Sequence, residues 1–317
     1  MNRNVLLMVL ILLAPLSGCR PAAQESRFEL DAAQFDGQAA FAELKRFVGL
    51  GARDAGTPGA ANAARYLHAR LKASGLTMDI DEFVAPSPQG STTFRNVIGR
   101  LPGTGSNLVI VASHYDTKMG IGGEFQGAND SGSSTAVVLE LAGLAARAAA
   151  RQKPGDTLLF VFFDGEECME HYGAADGLQG SRHFVKQLER DGQASLVKAM
   201  ILLDMVGDRH LTFTVPRNSS PKLMTWLFNA ARDEDVRSMF SLYPYEIGDD
   251  HDPFLRAGIP AIDLIDFLFG SSPGRNDYWH TPEDRIDKIS PESLQISGRV
   301  TVRLLNRVME DDPRVQP

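Results

Sequence analysis

The sequence predicts an α/β protein of three layers, in which a mostly parallel but mixed central sheet is covered by helices on both faces. Three observations carry that expectation: strand-like and helix-like segments alternate along nearly the whole chain, several strands are continuously apolar, and acids and histidines collect where strands end. Strands separated by helices imply crossover connections and hence parallel pairing, and a sheet apolar on both faces needs a layer on each side. With 317 residues, 43% hydrophobic and 23% charged, the chain can bury one large core or two smaller ones.

The first residues read as an export signal. Arg3 supplies a positive start, residues 5–16 form an apolar run too short to span a bilayer comfortably, and Leu16-Ser17-Gly18-Cys19 resembles a lipobox. The expectation is a lipoprotein signal peptide over 1–18, cleavage before Cys19 and lipidation of its thiol. The protein would then lie on the periplasmic side of a bacterial cell envelope and meet the membrane through the lipid anchor only. Arg20 is not the aspartate that retains such proteins in the inner membrane, which points to the outer one. Residues 19–37 read as a polar tether, 38–311 as one folded domain and 312–317 as a tail.

Within the domain, residues 39–50 and 59–74 carry helical spacing, with Phe41, Leu44, Phe47 and Val48 on one face of the first. Residues 92–101 and 107–113 read as strands, the second rich in Val and Ile. A long Ala/Leu helix over 133–150 precedes a strongly apolar strand over 158–163. A helix over 181–190, a strand over 199–204, a helix over 221–231, a strand over 261–265 and a closing helix over 291–309 complete the alternation. The formal net charge of −8 and the lack of a basic block argue against nucleic-acid binding. With Cys19 lipidated, Cys168 is the sole free thiol, expected as a small buried residue.

In such a sheet, functional groups gather at the carboxyl ends of the strands. His114 and Asp116 end one strand, Glu166 and Glu167 another and Asp204 a third; Asp130 sits just before the long helix, and His280 follows the last strand. Singly, each has an ordinary structural explanation: a hydrogen-bonded core histidine, a helix cap, a turn acid. Together, carboxylates and imidazoles at one sheet edge suit zinc, and three protein ligands with an open position define a catalytic site. Neighbours on an extended chain point apart, so Glu166 and Glu167 can divide the labour, one on metal and one on protons.

These motifs resemble the M28 clan of zinc aminopeptidases, and within it the glutaminyl-peptide cyclotransferase (glutaminyl cyclase) branch. The likeness rests on 94–98 (Phe-Arg-Asn-Val-Ile), 113–116 (Ser-His-Tyr-Asp), 162–167 (Phe-Phe-Asp-Gly-Glu-Glu), 180–183 (Gly-Ser-Arg-His), 249–251 (Asp-Asp-His) and 279–281 (Trp-His-Thr). It implies a zinc aminopeptidase-like fold, one zinc on Asp130, Glu167 and His280, Glu166 as proton shuttle, Asp249 with Asp204 behind it, and Trp279 and Tyr172 at the substrate. The substrates would be peptide or protein N-termini, with glutamine converted to pyroglutamate and ammonia released. In the alternative, a di-zinc aminopeptidase, His114 and Asp204 would hold a second metal; a third reading is an inactive lipoprotein binding module.

Asp249 and Trp279 favour the cyclase, since aminopeptidases more often carry a small or hydroxyl residue and a tyrosine at these positions. Some positions depart from animal cyclases: Ser113 and Thr135 replace a cysteine pair, Tyr172 a tryptophan and Asp263 a histidine.

Overall fold

A computed structural model describes residues 27–122 and 125–314. The segment expected as a signal peptide, Cys19 and the start of the expected tether lie outside the described residues. Six strands form the main sheet: β1 (Thr77–Ser87), β2 (Gly90–Leu101), β3 (Leu108–His114), β4 (Thr157–Phe163), β5 (Val197–Asp204) and β8 (Ala261–Ile265). Their order is β1-β2-β4-β3-β5-β8. The β4, β3, β5 and β8 pairings are parallel, while β1 and β2 add an antiparallel hairpin at one edge. Two short strands, β6 (Phe213–Val215) and β7 (Phe240–Leu242), form a separate parallel pair.

Alternation along the strands builds the layers. Val109 and Val111 of β3, Leu158 and Phe160 of β4, and Ile201 and Leu203 of β5 enter the larger apolar cluster. That cluster also takes the buried faces of α1 (Gly37–Val48), α2 (Pro58–Ala73), α3 (Ser134–Ala149), α5 (Pro221–Asp233) and α7 (Pro291–Glu310). The intervening Ile110, Leu159, Phe163 and Leu202 face the opposite way, onto α4 (Gln179–Arg190) and α6 (Asp252–Arg256) through Phe184, Leu188 and Phe254. Two-residue side-chain periodicity thus feeds two cores at once.

The expected helices and strands are all present, with ends that coincide or shift by one or two residues. The structure adds β1, β6, β7 and α6 to them, and it corrects the extent of the tether. Phe28, Leu30 and Phe35 are buried, a short 3-10 turn forms at Ala32–Gln34, and Leu30 exchanges hydrogen bonds with Asn306 of α7 (2.9 and 2.7 Å). The described part of the tail is tied down as well: Arg314 bonds Asp312 at 2.9 Å and Asn107 at 3.3 Å.

Candidate active site

Because β3, β4, β5 and β8 run parallel, their carboxyl ends open on one edge, and the acids that follow them converge there. Two histidines organise the centre. Nε2 of His280 lies 3.0 Å from Oε1 of Glu167 and 3.4 Å from Oδ2 of Asp130. Nε2 of His114 lies 3.1 Å from Oδ1 of Asp130 and 3.3 Å from Oδ1 of Asp204. Asp130 therefore bridges two groups, Asp130/Glu167/His280 and His114/Asp130/Asp204, in each of which one ligand atom per residue lies within 4.8 Å of the others. Oε2 of Glu167 is buried without a hydrogen-bond partner. A buried carboxylate oxygen with nothing to accept from, beside imidazole and carboxylate donors, is a donor set that fits a divalent metal of zinc's preferences.

Local backbone explains how the chain reaches this arrangement. Gly165 has φ +70°, and a Cβ there would meet the Phe94 ring at 2.5 Å, so only glycine lets the chain turn Glu166 and Glu167 inward after β4. Both oxygens of Asp116 then accept the Glu166 and Glu167 N–H groups, at 3.1 and 3.2 Å. Asp284 does the same for Asn129 and Asp130, at 2.7 and 3.1 Å. Behind that loop, fully buried Arg53 donates to the carbonyls of Tyr115, Gln126 and Gly127. Asp176 accepts from the N–H groups of Met169, Glu170 and His171, fixing the loop that carries Tyr172.

Glu166 sits at the cavity floor, where the Tyr172 hydroxyl donates to both its oxygens at 3.1 and 3.2 Å. Burial, with the charges of Glu167, Asp249 and Asp250 beside it, raises its carboxyl well above the ordinary range. Burial and the Asp130 charge likewise push Glu167 up to about 7. For Asp130 burial acts in the same sense, but hydrogen bonds from His114 and His280 outweigh it and leave the carboxyl lowered. His280 is opposed by burial yet carried to about 10 by Asp130 and Glu167. Asp249 faces the cavity, with fully buried Asp263 against it; burial and the Asp204 and Asp250 charges raise the Asp249 carboxyl well above its usual range.

The cavity measures about 270 Å³, and every residue expected at the metal or the substrate except His114 lines it: Asp130, Glu166, Glu167, Tyr172, Asp204, Asp249, Trp279 and His280. His114 lies beneath, almost fully buried. Trp279 stacks on His280 with ring centroids 4.0 Å apart. Cys168 is buried as expected, its thiol 2.9 Å from the Lys118 ammonium, which stands 3.8 Å from Glu167.

Sequence reasoning named Asp116 without a role, placed the loop that begins at Phe267 beside the pocket, where Phe267 indeed lines it, and missed Arg53, Asp176, Asp284, Lys118, Tyr243 and Tyr245. The glycine of the 162–167 motif was the available signal for a tight turn needing backbone acceptors.

An α/β sheet with acids and two histidines gathered at its carboxyl edge is the framework of a metal-dependent exopeptidase-type enzyme. The chain belongs to peptidase family M28, which it matches over residues 96–305. Among curated proteins it is 30% identical over 279 residues to a glutaminyl-peptide cyclotransferase-like protein of Bos taurus, covering 78% of this chain and 70% of that one. Among solved structures it is similar to an Acidobacteriales bacterium glutaminyl cyclase (TM-score 0.81, 34% identity, 92% of this chain and 98% of that one). It is also similar to a Zn-dependent exopeptidase from Parabacteroides distasonis (TM-score 0.74, 26% identity, 84% and 97%).

Proposed function

We propose that the protein is a zinc-dependent glutaminyl-peptide cyclotransferase that converts the N-terminal glutamine of peptides to pyroglutamate and releases ammonia. The observation that carries this reading is Glu166: a buried carboxyl with a raised proton affinity, oriented by Tyr172, at the floor of a small cavity walled by Trp279 and Phe267. The likeness to glutaminyl cyclases supports it. Asp130, Glu167 and His280 would hold the zinc. When bound there, it supplies Lewis-acid polarisation of the glutamine side-chain carbonyl and charge stabilisation for the oxygen.

The chain's own residues do the rest. The substrate's α-amine attacks the side-chain amide carbon, a C–N bond forms to close the ring, and the bond to the amide nitrogen breaks. Glu166 accepts the proton lost by the amine and returns it to the departing nitrogen, which leaves as ammonia. A buried carboxyl whose proton affinity is raised above the ordinary range serves both halves of that exchange. Asp249, with Asp204 nearby and Asp263 against it, accepts hydrogen bonds from the reacting nitrogen, and Trp279 flanks the ring as it closes. Holding amine and amide in one small cavity supplies the proximity contribution.

The test uses zinc-loaded protein. A Gln-initiated peptide should release ammonia and become blocked at its N-terminus, and Glu166→Gln should abolish that activity while the bound metal is retained. A second reading, the di-zinc aminopeptidase, is favoured by one observation, the His114/Asp130/Asp204 group. Close to two zincs per chain, with free amino acids released from Leu- or Ala-initiated peptides and no cyclised product, would establish it in place of the cyclase. Lipid attachment at Cys19 in the bacterial envelope belongs to the same proposal: Cys19→Ala should shift the protein from the membrane fraction to the soluble one.

A further inference from the structure

Outward from the candidate metal ligands, the cavity continues along a run of aromatic rings whose outer members, Tyr243 and Tyr245, the chemistry above leaves unused. His280 stacks on Trp279 at 4.0 Å, Trp279 meets Phe267 at 5.1 Å, Phe267 meets Tyr243 edge-on at 5.9 Å, and Tyr243 meets Tyr245 edge-on at 5.6 Å. All five rings line the cavity, and that of Tyr245, at its mouth, is 67% exposed. The backbone beneath is pinned: Tyr243 N–H donates to the Val215 carbonyl at 2.8 Å and the Tyr245 carbonyl accepts from Arg217 N–H at 3.1 Å. Two aromatic rings thus stand on pinned backbone at an opening, packed edge-on against each other, one with most of its surface in water. Aromatic rings presented rigidly at low entropic cost are a means of recognition.

A glutamine placed with its side-chain amide at the metal ligands occupies the inner cavity, between Trp279 and Asp249. Its own carbonyl is bonded to the next residue, which must leave through the mouth. We propose that Tyr243 and Tyr245 form the subsite for the side chain of the substrate's second residue, and that this subsite selects an aromatic side chain. The proposal rests on the cyclase reading.

Chemistry favours an aromatic occupant over a basic one. Glu246 lines the same cavity, but its carboxylate is turned to Arg217 at 3.5 Å and both side chains are about two-thirds exposed, so its charge is partly balanced and screened. The edge-to-face Tyr243/Tyr245 pair offers a ring face to a third ring, which prefers an offset or edge-on approach at 4.5–7 Å. The second residue stays bonded to the pyroglutamyl product and makes the same contact before, during and after ring closure. Uniform binding of that kind appears in KM and leaves kcat nearly unchanged.

The experiment compares Gln-Phe, Gln-Ala and Gln-Lys peptides on zinc-loaded wild type, Tyr245→Ala and Tyr245→Phe. Tyr245 is exposed enough that its truncation spares the fold, which circular dichroism checks. Wild type should favour Gln-Phe over Gln-Ala by about three- to tenfold in kcat/KM, expressed in KM. The preference should vanish in Tyr245→Ala and persist in Tyr245→Phe. Equal rates for the two peptides, a preference for Gln-Lys, or an aromatic preference surviving Tyr245→Ala would overturn the subsite while leaving the cyclase standing. Failure of all three peptides to cyclise would bring down the cyclase reading and the subsite with it.

Discussion

Asp116 shows how much of a site can rest on a side chain that touches no substrate. It accepts the backbone N–H groups of both Glu166 and Glu167 and lies 3.5 Å from Nδ1 of His114, so one carboxylate sets the aim of the base, of a ligand and of the histidine beneath. Asp116→Asn keeps the shape but replaces one acceptor oxygen with an NH₂ group, which would meet a backbone N–H head-on. Loss of such a supporting partner lowers metal affinity about 10- to 100-fold. Titration of zinc into metal-free protein should show that drop, and an unchanged affinity would mean that the turn is held by other contacts. The ligands themselves were legible in the sequence because histidine and acid at strand ends are unusual enough to notice. The supporting roles of Asp116, Asp176 and Asp284 were not, because a carboxylate that accepts backbone N–H groups leaves no spacing signature. Its partners become neighbours only after folding.

At the scale of elements, the apolar strands and amphipathic helices were legible, whereas β1 was not. Its side chains are all intermediate or exposed, so it has no buried face to announce it, and its pairing with β2 is what makes it a strand. Where helices meet, polar pairs matter more than pattern. Glu43 of α1 is buried against α2, accepting from Tyr66 at 2.6 Å and from Arg70 at 2.7 and 2.9 Å, with Arg46 at 2.8 Å. Burial alone would raise its carboxyl, but those donors outweigh it and hold it below its ordinary value of 4.5. A carboxyl depressed in the folded state contributes stability that is present above the unfolded pKa and lost as pH falls through the folded one. Glu43→Gln should therefore cost about 1–3 kcal/mol at neutral pH. Urea unfolding should show the gap between wild type and variant closing below about pH 4.5. A gap independent of pH would place the cost in packing instead of charge.

The whole molecule depends on contacts that span nearly its full length, and the segment read as a tether is the clearest case. Its apolar residues, Phe28, Leu30 and Phe35, are too few and too irregularly spaced to signal an element. What orders them is α7, more than 250 residues later. Gln295 of α7 donates to the Phe35 carbonyl at 2.5 Å and accepts from Gly37 N–H at 2.7 Å, while Gly298 leaves the space that the Phe35 ring fills. A Cβ at position 298 would lie 2.2 Å from that ring. The closing helix thus has a glycine in its buried face despite glycine's low helix propensity, because the first ordered residues need the room. Phe35→Ala should cost about 3–5 kcal/mol, the usual range for emptying a buried aromatic site. Gly298→Ala should also destabilise, since the ring or the helix must shift to admit the methyl group. Equilibrium urea unfolding of both variants decides the matter. Losses near zero would mean that residues 28–35 rest on α7 without contributing to the domain. Losses of the stated size would make the segment the strap that joins the first ordered residues to the last helix.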